Sequence, residues 1–446
     1  MILKKSILAI LLLVIVSLKL TFDYAKWDNG FVLKWDASGY YLYLPATIIY
    51  KDLATLSFYD KIDQQYALAS GMKSYGLYPQ KETHKVLNKY AIGTALGELP
   101  LFLVAHAYCL YINSSYALDG YSMPYQFSVA MSTVLWTILG MFFLAAVLRR
   151  YFSDTITALC ILCIGFGTNL YCYTGYELAT CHTWLFLLVA ATIYYTDSVY
   201  RTAQSRDALM LGVVLGLVLI SRPIDILIVI LPLLWPLTHT HYRTRFSFLQ
   251  AHRRLILLCV SAFFCIAFIQ LLYWKYMTGH WLHFSYEEEG FHFLSPKILE
   301  GLFSFRKGWF VYTPIALLAF FGFRVLHKLH KGLSLPILLF LGAFIYVVFS
   351  WHCWWYGWSF GSRVMIDAYP LLAFPLAALM QYCFQKKMVY RMLLVAVLGF
   401  FVWLNQYQTI QYILGTLPGD KITGAYYWRC WNKLHVDESM KQFLLP

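Results

Sequence analysis

Charged residues are scarce in this sequence, and their scarcity is the first guide to the class of protein. Of its 446 residues only 13% are charged and 60% are hydrophobic, with a mean hydropathy of +0.58. Apolar runs long enough to cross a bilayer recur from one end of the chain to the other. These features exclude a soluble globular protein, and we predict an all-α polytopic membrane protein.

The sequence also lacks a basic patch or basic tail, although its formal net charge is +13. Its Lys and Arg residues fall in short loops between apolar runs, which is not how nucleic-acid-binding proteins distribute positive charge. Cys160 and Cys163 form a CxxC pair without a second pair, and several other cysteines lie inside apolar runs. We therefore predict no nucleic-acid partner, no disulfide framework and no metal site formed by cysteines.

No small-residue cleavage site follows the apolar run of residues 1–20, so we predict an uncleaved first helix with a cytoplasmic N-terminus. Residues 21–90, called the first loop below, are mostly polar and aromatic and predict a long external loop with interfacial helices. Residues 91–112 are apolar but contain Glu98 and Pro100. We place them as an interfacial or re-entrant segment, and an ordinary span with buried polar residues is the alternative.

The basic residues give a consistent topology when roughly eleven other segments span the membrane. By the positive-inside rule, the cytoplasmic loops then hold Arg149, Arg150, Arg201, Arg206, Arg243, Arg245, Arg253, Arg254, Arg324, Lys328, Lys331, Lys386, Lys387 and Arg391. Residues 1–412 form one transmembrane domain in this topology, and residues 413–446 form a short external tail. Most acidic residues lie at the external face, so we expect the chemistry there.

One carboxylate of the first loop lies in an aromatic segment, 34-KWDASGYYLYLP. Asp36 has two interpretations. It is the catalytic carboxylate of a site, or it is the N-cap of a helix that begins near Ala37, because Asp is a preferred capping residue. The other polar residues of the external face bear on this choice.

Three further clusters converge on the same face: Glu177 with His182 at a turn between spans, Arg222 with Asp225 where two half-length helices meet, and Arg306, Lys307 and Arg363 in two aromatic loops. Each cluster also has a structural interpretation, as a loop hydrogen bond, a buried ion pair or a contact with lipid phosphates. Together, one carboxylate and several cations on one face indicate a site that binds a phosphate and deprotonates a neighbouring group.

These motifs resemble the GT-C superfamily of membrane glycosyltransferases, in particular bacterial relatives of protein O-mannosyltransferases and of the lipid A aminoarabinose transferase. The resemblance is carried by WDASGYYLYLP around Asp36, NKYAIGTALGELPLF at 88–102, YELATCH at 176–182 and SRPID at 221–225. The sequence departs from better-known members in having the single acid Asp36 where they have an acidic pair, and in having no large C-terminal soluble domain.

The resemblance implies a GT-C-like helical bundle that transfers a sugar from a polyprenyl-phosphate donor to an acceptor hydroxyl with inversion. The implied roles are general base for Asp36, donor-phosphate binding for Lys89, Arg222, Arg306, Lys307 and Arg363, and a second acid or acceptor-side role for Glu177 and His182. The acceptor would be a lipid, a glycan or a protein. Some members use a divalent metal ion, although no spacing in this sequence demands one.

The implied location is the bacterial inner membrane, with membrane lipids around the protein and the active site on the extracytoplasmic face. A transporter or flippase of a lipid-linked or anionic substrate is one alternative, because buried charges in spans mark transport pathways. A surface-polysaccharide polymerase or ligase is another. The long loops and unexplained polar residues are all external, and this asymmetry favours an enzyme over a transporter.

Overall fold

The computed structural model of the protein describes residues 4–69, 72, 75–236 and 245–445, and these residues are mostly helical. The first ten α-helices are α1 Lys5–Tyr24, α2 Asp36–Tyr41, α3 Tyr59–Tyr66, α4 Gly93–Tyr111, α5 Met123–Leu148, α6 Asp154–Phe166, α7 Leu170–Gly175, α8 Cys181–Thr202, α9 Ser205–Ser221 and α10 Ile230–Leu234. Arg243, predicted to be cytoplasmic, lies outside the described residues.

The second half continues the helical pattern, with α11 Arg245–Ala251, α12 Arg253–Thr278, α13 Ile298–Phe303, α14 Trp309–Tyr312, α15 Pro314–Phe321, α16 Phe323–Leu329, α17 Ser334–Val348, α18 Tyr369–Phe384, α19 Met388–Ile413 and α20 Gly424–Cys430. The helices of other types are a π-helix at Pro45–Ile49 and 3₁₀-helices at Pro223–Val229, Arg363–Ala368 and Glu438–Phe443.

The helical membrane character predicted from composition is confirmed, whereas the number of eleven spans is not. Six helices in the described part of the chain are long and apolar enough to cross a membrane: α1, α4, α5, α12, α19 and the combined segment Arg363–Phe384. Helix α8 has 22 residues but is not among these six, and several other apolar segments form shorter helices. Between 309 and 329, for example, Pro314 starts a new helix because it cannot donate a backbone hydrogen bond inside the previous one.

The first loop contains a β-hairpin in addition to the short helices α2 and α3, and its external and interfacial placement stays a prediction. Strand β1, Leu77–Pro79, pairs antiparallel with β2, Val86–Asn88, so that Tyr78 lies opposite Leu87. The backbone N–H of Asn88 donates to the hydroxyl of Tyr273 on α12 at 2.9 Å. The hairpin is therefore anchored to the helical bundle beside the start of α4.

Helix α4 is one uninterrupted helix of 19 residues, with Pro100 inside it and the side chain of Glu98 fully buried. Its length and composition are those of a spanning helix. The length of α4 and its buried Glu98 are compatible with the alternative interpretation, an ordinary transmembrane helix with buried polar residues. The interfacial or re-entrant placement of 91–112 stays a prediction.

The segment Arg363–Phe384 lies at the centre of the bundle and is almost entirely buried. Helix α18 packs against α6, α8, α15, α16 and α19. The 3₁₀-helix before α18 packs against α8 and carries Arg363 and Asp367. Two charged side chains are therefore placed at one end of the most buried segment of the bundle.

Candidate active site

A cavity of about 530 Å³ brings together several of the polar residues identified from the sequence. Its walls come from α2, the segment between the hairpin and α4, the first turn of α8, the junction after α9, α12, and the loops at 283–291 and 351–363. The predicted site residues that line it are Asp36, Lys89, His182, Arg222 and Arg363. Its size and its mixed apolar and polar lining are those of a small-molecule site.

Asp36 is the first residue of α2, and its carboxylate accepts hydrogen bonds from three side chains. Oδ2 accepts from Nη2 of Arg363 at 2.6 Å, and Oδ1 accepts from the hydroxyls of Tyr90 at 2.5 Å and Tyr75 at 3.2 Å. The side chains of Asp36 and Arg363 are 24% and 19% exposed. Within the described residues, the carboxylate bonds side chains at the cavity wall and does not cap α2.

The surroundings of Asp36 keep its carboxylate ionised. Burial by itself raises the pKa of Asp36. The charge of Arg363, the hydrogen bonds from Tyr90 and Arg363 and, to a smaller extent, the charge of Lys89 lower this pKa, and together they outweigh the effect of burial. The pKa of Asp36 therefore lies below its ordinary value. Burial and the charge of Asp36 raise the pKa of Tyr75 and of Tyr90, so both hydroxyls stay protonated.

Close packing between α2 and the end of the hairpin brings Tyr90 to Asp36. The Tyr90 ring lies against Gly39, where a Cβ atom would be only 2.1 Å from the ring. The side-chain amide of Asn88 donates to the Gly39 carbonyl at 2.7 Å. Gly39 thus allows the hairpin to lie directly on α2, one turn from Asp36.

Lys89 follows β2 and is a nearly buried cation at the cavity wall. Its side chain is 8% exposed, and Nζ donates to Oε1 of Glu289 at 2.7 Å. The ring centroids of Tyr75, Tyr90 and Tyr286 lie within 5.4 Å of Nζ. An aromatic cage of this kind stabilises the positive charge without neutralising it.

Arg222 lies where α9, a helix of 17 residues, ends and the 3₁₀-helix Pro223–Val229 begins. Its Nη1 donates to Oδ2 of Asp367 at 2.9 Å and lies 3.5 Å from Oδ2 of Asp225. Asp225 and Asp367 are both fully buried. The ion pair with Asp225 expected from the i, i+3 spacing is present, but Asp367 is the closer partner.

Asp367 also joins Arg222 to His182, and it was missed in the sequence. Nδ1 of His182, in the first turn of α8, lies 3.1 Å from both carboxylate oxygens of Asp367. Asp367 lies inside an apolar run that we interpreted as a span. An acidic residue within such a run, four positions after Arg363, was the available signal.

Arg306 and Lys307, both predicted to bind the donor phosphate, do not line the cavity in the described part of the chain. Arg306 donates to both carboxylate oxygens of Asp420, at 2.6 and 3.0 Å. Lys307 is 2% exposed and donates to the carbonyls of Ser359 and Gly419. Burial lowers the pKa of Lys307 to about 7. These two side chains connect the C-terminal tail to the loop that precedes Arg363.

Glu177 lies apart from the cavity, whereas His182 reaches it. The carboxylate of Glu177 accepts from the hydroxyl of Tyr412 at 3.0 Å and lies 3.5 Å from Nζ of Lys26. The turn at 174–182 therefore separates the two side chains that we grouped on the acceptor side. Among the described residues, no group of three or more His, Cys, Asp or Glu could hold a metal ion.

Comparison with known proteins gives one family. Residues 117–274 match the family described as dolichyl-phosphate-mannose-protein mannosyltransferase. The matched region, about a third of the chain, contains His182 and Arg222 of the cavity. No curated protein and no solved structure matches the chain. Over residues 117–274, the match supports the predicted resemblance to the GT-C superfamily of membrane glycosyltransferases.

Proposed function

We propose that the protein transfers a sugar from a polyprenyl-phosphate donor to an acceptor hydroxyl, at the extracytoplasmic face of a bacterial inner membrane. The observation that carries the proposal is that the carboxylate of Asp36 and three cations, Lys89, Arg222 and Arg363, line one cavity, in which Lys89 is paired with the second carboxylate, Glu289. The acceptor is a lipid, a glycan or a protein. The match to a glycosyltransferase family supports this assignment.

The donor phosphate binds to Lys89, Arg222 and Arg363 in this proposal. Each cation is paired with a carboxylate: Lys89 with Glu289, Arg222 with Asp367 and Arg363 with Asp36. A phosphate oxygen, which is also anionic, can share the cation with this carboxylate or replace the carboxylate as its partner. Nε of Arg363 is buried and has no hydrogen-bond partner among the described residues. A free, buried guanidinium N–H is suited to a phosphate oxygen, because charge-assisted hydrogen bonds of this kind are strong.

Asp36 accepts the proton of the acceptor hydroxyl as the hydroxyl oxygen attacks the anomeric carbon. The bond from that carbon to the phosphate oxygen breaks, the lipid phosphate leaves with the electron pair, and the configuration of the sugar inverts. General-base assistance contributes about 10² to 10⁴ in rate. Pre-positioned cations stabilise the leaving phosphate by about 3 to 4 kcal/mol per well-aimed donor.

Arg306 and Lys307 have a positioning role in this scheme, because their donors are already bound to Asp420 and to backbone carbonyls. They fix the loop at 351–363 that presents Arg363. Glu177 has no part in the proposed transfer, since it lies apart from the cavity with Lys26 and Tyr412.

The proposal is tested by binding of undecaprenyl phosphate to the purified protein in nanodiscs. We expect Arg222→Ala and Arg363→Ala each to weaken binding by about 2 to 5 kcal/mol, because each change leaves the bound phosphate without a cation that contacts it in the cavity. Arg429→Ala is the control, since Arg429 is an exposed tail residue that donates to the carbonyl of Ala425. Its affinity should equal that of the wild type.

Equal affinities in the wild type and in both cavity variants, with normal folded yield, would contradict the phosphate site. A wild type that binds the lipid phosphate but moves it across the bilayer without transferring sugar would instead favour the flippase alternative.

A further inference from the structure

Asp367 and His182 form a buried pair beside Arg222, and the proposed transfer reaction gives neither of them a role. Asp367 is fully buried, accepts from Nη1 of Arg222 at 2.9 Å, and contacts Nδ1 of His182 at 3.1 Å. His182 is 5% exposed and lines the cavity. Within the described residues, no hydrogen bond is formed by its other ring nitrogen, Nε2, so only one side of the imidazole is occupied.

The contacts of Asp367 determine which nitrogen of His182 carries the proton. A carboxylate bonded to a guanidinium group accepts hydrogen bonds, so Nδ1 of His182 must be the donor to Asp367. In a neutral imidazole the remaining nitrogen, Nε2, then has a free lone pair. The dyad therefore provides the cavity with a fixed hydrogen-bond acceptor beside its cations.

A hydrogen-bond acceptor in a cationic cavity selects one kind of ligand atom. It repels the oxygens of a phosphate and binds a group that donates, of which a hydroxyl is the donor that every sugar has. Asp367 links His182 directly to Arg222, which we assigned to the donor phosphate. The sugar attached to that phosphate is therefore the nearest source of a hydroxyl.

We propose that Nε2 of His182 accepts a hydrogen bond from one hydroxyl group of the donor sugar, and that Asp367 is the positioning residue that fixes its tautomer. This inference rests on the proposed function and adds a specificity subsite to it. The acceptor molecule also carries a hydroxyl, so the test must distinguish the two sources.

The test compares binding of two lipids to the full chain in nanodiscs: undecaprenyl phosphate, which has no sugar, and undecaprenyl-phosphoryl mannose. His182→Asn keeps an N–H at the position of Nδ1 and removes the cavity acceptor. We expect it to weaken binding of the mannosyl lipid about tenfold or more, as for a buried polar group left unpaired. Binding of undecaprenyl phosphate should change less than twofold.

Two further variants separate recognition from structure. His182→Gln places an amide oxygen near the position of Nε2, and we expect it to restore most of the lost affinity. Asp367→Asn can donate to Nδ1 and so favours the opposite tautomer. It also frees Arg222, so undecaprenyl phosphate should bind as tightly as in the wild type or more tightly, while the gain in affinity that the mannosyl group provides should be lost as in His182→Asn. His106→Asn is the matched control, because His106 bonds the hydroxyl of Tyr125 through Nδ1 at 2.7 Å and lies away from the cavity.

Monodeoxy analogues of the mannosyl lipid identify the hydroxyl. In the wild type one analogue should bind about tenfold more weakly than the parent lipid, and His182→Asn should not distinguish that analogue from the parent. The subsite would be overturned if His182→Asn lost the same affinity for both lipids, or if the wild type bound all analogues equally. Either result would leave the phosphate site intact. A wild type that binds neither lipid would overturn the subsite together with the proposed function.

Discussion

Asp36→Asn is the sharpest perturbation of the proposed mechanism, because it changes charge and proton affinity while keeping size. Asn still accepts from Tyr75 and Tyr90 through its amide oxygen, so the wall of the cavity should persist. Asn cannot take a proton, and turnover should fall by about 10² or more. At 1.36 kcal/mol per tenfold change, this is about 3 kcal/mol of transition-state stabilisation.

The same substitution should have the opposite effect on donor binding. In the wild type, the phosphate must share Arg363 with Asp36, whose Oδ2 lies 2.6 Å from Nη2. Both side chains are partly exposed, so the attraction that Asn removes is modest, about 1 kcal/mol or less. We therefore expect undecaprenyl phosphate to bind as tightly as in the wild type, or up to about fivefold more tightly.

The assay measures sugar transfer and lipid-phosphate affinity on the same preparation. Asp60→Asn is the control, because Asp60 is an exposed carboxylate in the same loop, in the first turn of α3. Full transfer activity in Asp36→Asn would refute the assignment of the base. Loss of transfer together with loss of lipid-phosphate binding would instead show that Asp36 acts on the structure of the site.

The pH dependence of stability tests the buried position of Lys307. Its pKa is about 7 in the folded protein and 10.5 ordinarily, so the unfolded chain binds more protons between these values and stability should rise with pH there, by at most about 1.4 kcal/mol per unit. Lys307→Met should lack this rise when melting temperatures are measured from pH 7 to 10, and parallel curves would contradict the low pKa. Cysteine labelling tests the topology: an impermeant reagent added outside should label Asp60→Cys and miss Lys331→Cys, and the reverse pattern would place Asp36 on the wrong side of the membrane.

The sequence predicted the members of the cavity that stand at the edges of apolar runs. Asp36, Lys89, His182, Arg222 and Arg363 are each conspicuous there, because a charged or polar residue next to a span requires a partner or a ligand. The helical bundle brings these five side chains to one cavity, which the sequence does not show. The local sequence pattern was sufficient to identify each of them as a candidate site residue.

The missed features depend on contacts between distant parts of the chain. Lys307 is buried because the C-terminal tail folds back and the carbonyl of Gly419 accepts from its Nζ, a contact between residues 112 positions apart. Asp367 was hidden because an acid inside an apolar run does not reveal which cation will reach it. No local pattern gives these pairings.

The limits of some long helices were predictable, whereas helix breaks and short strands were not. Apolar runs set the limits of helices such as α5 and α19. The hairpin at 77–88 has strands of three residues, which are too short for an alternating pattern to be recognised. The breaks around Pro314 reduced one predicted span to three short helices.

The ion pair between Asp36 and Arg363 joins residues 327 positions apart, and that separation has a consequence for biosynthesis. A membrane protein is inserted as it is translated, so Asp36 is in place before Arg363 has been synthesised, and its carboxylate lacks this partner while the intervening helices are made. The complete set of charges at the cavity exists only after Arg363 has emerged from the ribosome. A chain interrupted before that point has the carboxylate without the guanidinium group, and therefore cannot start the proposed chemistry on a lipid-linked sugar.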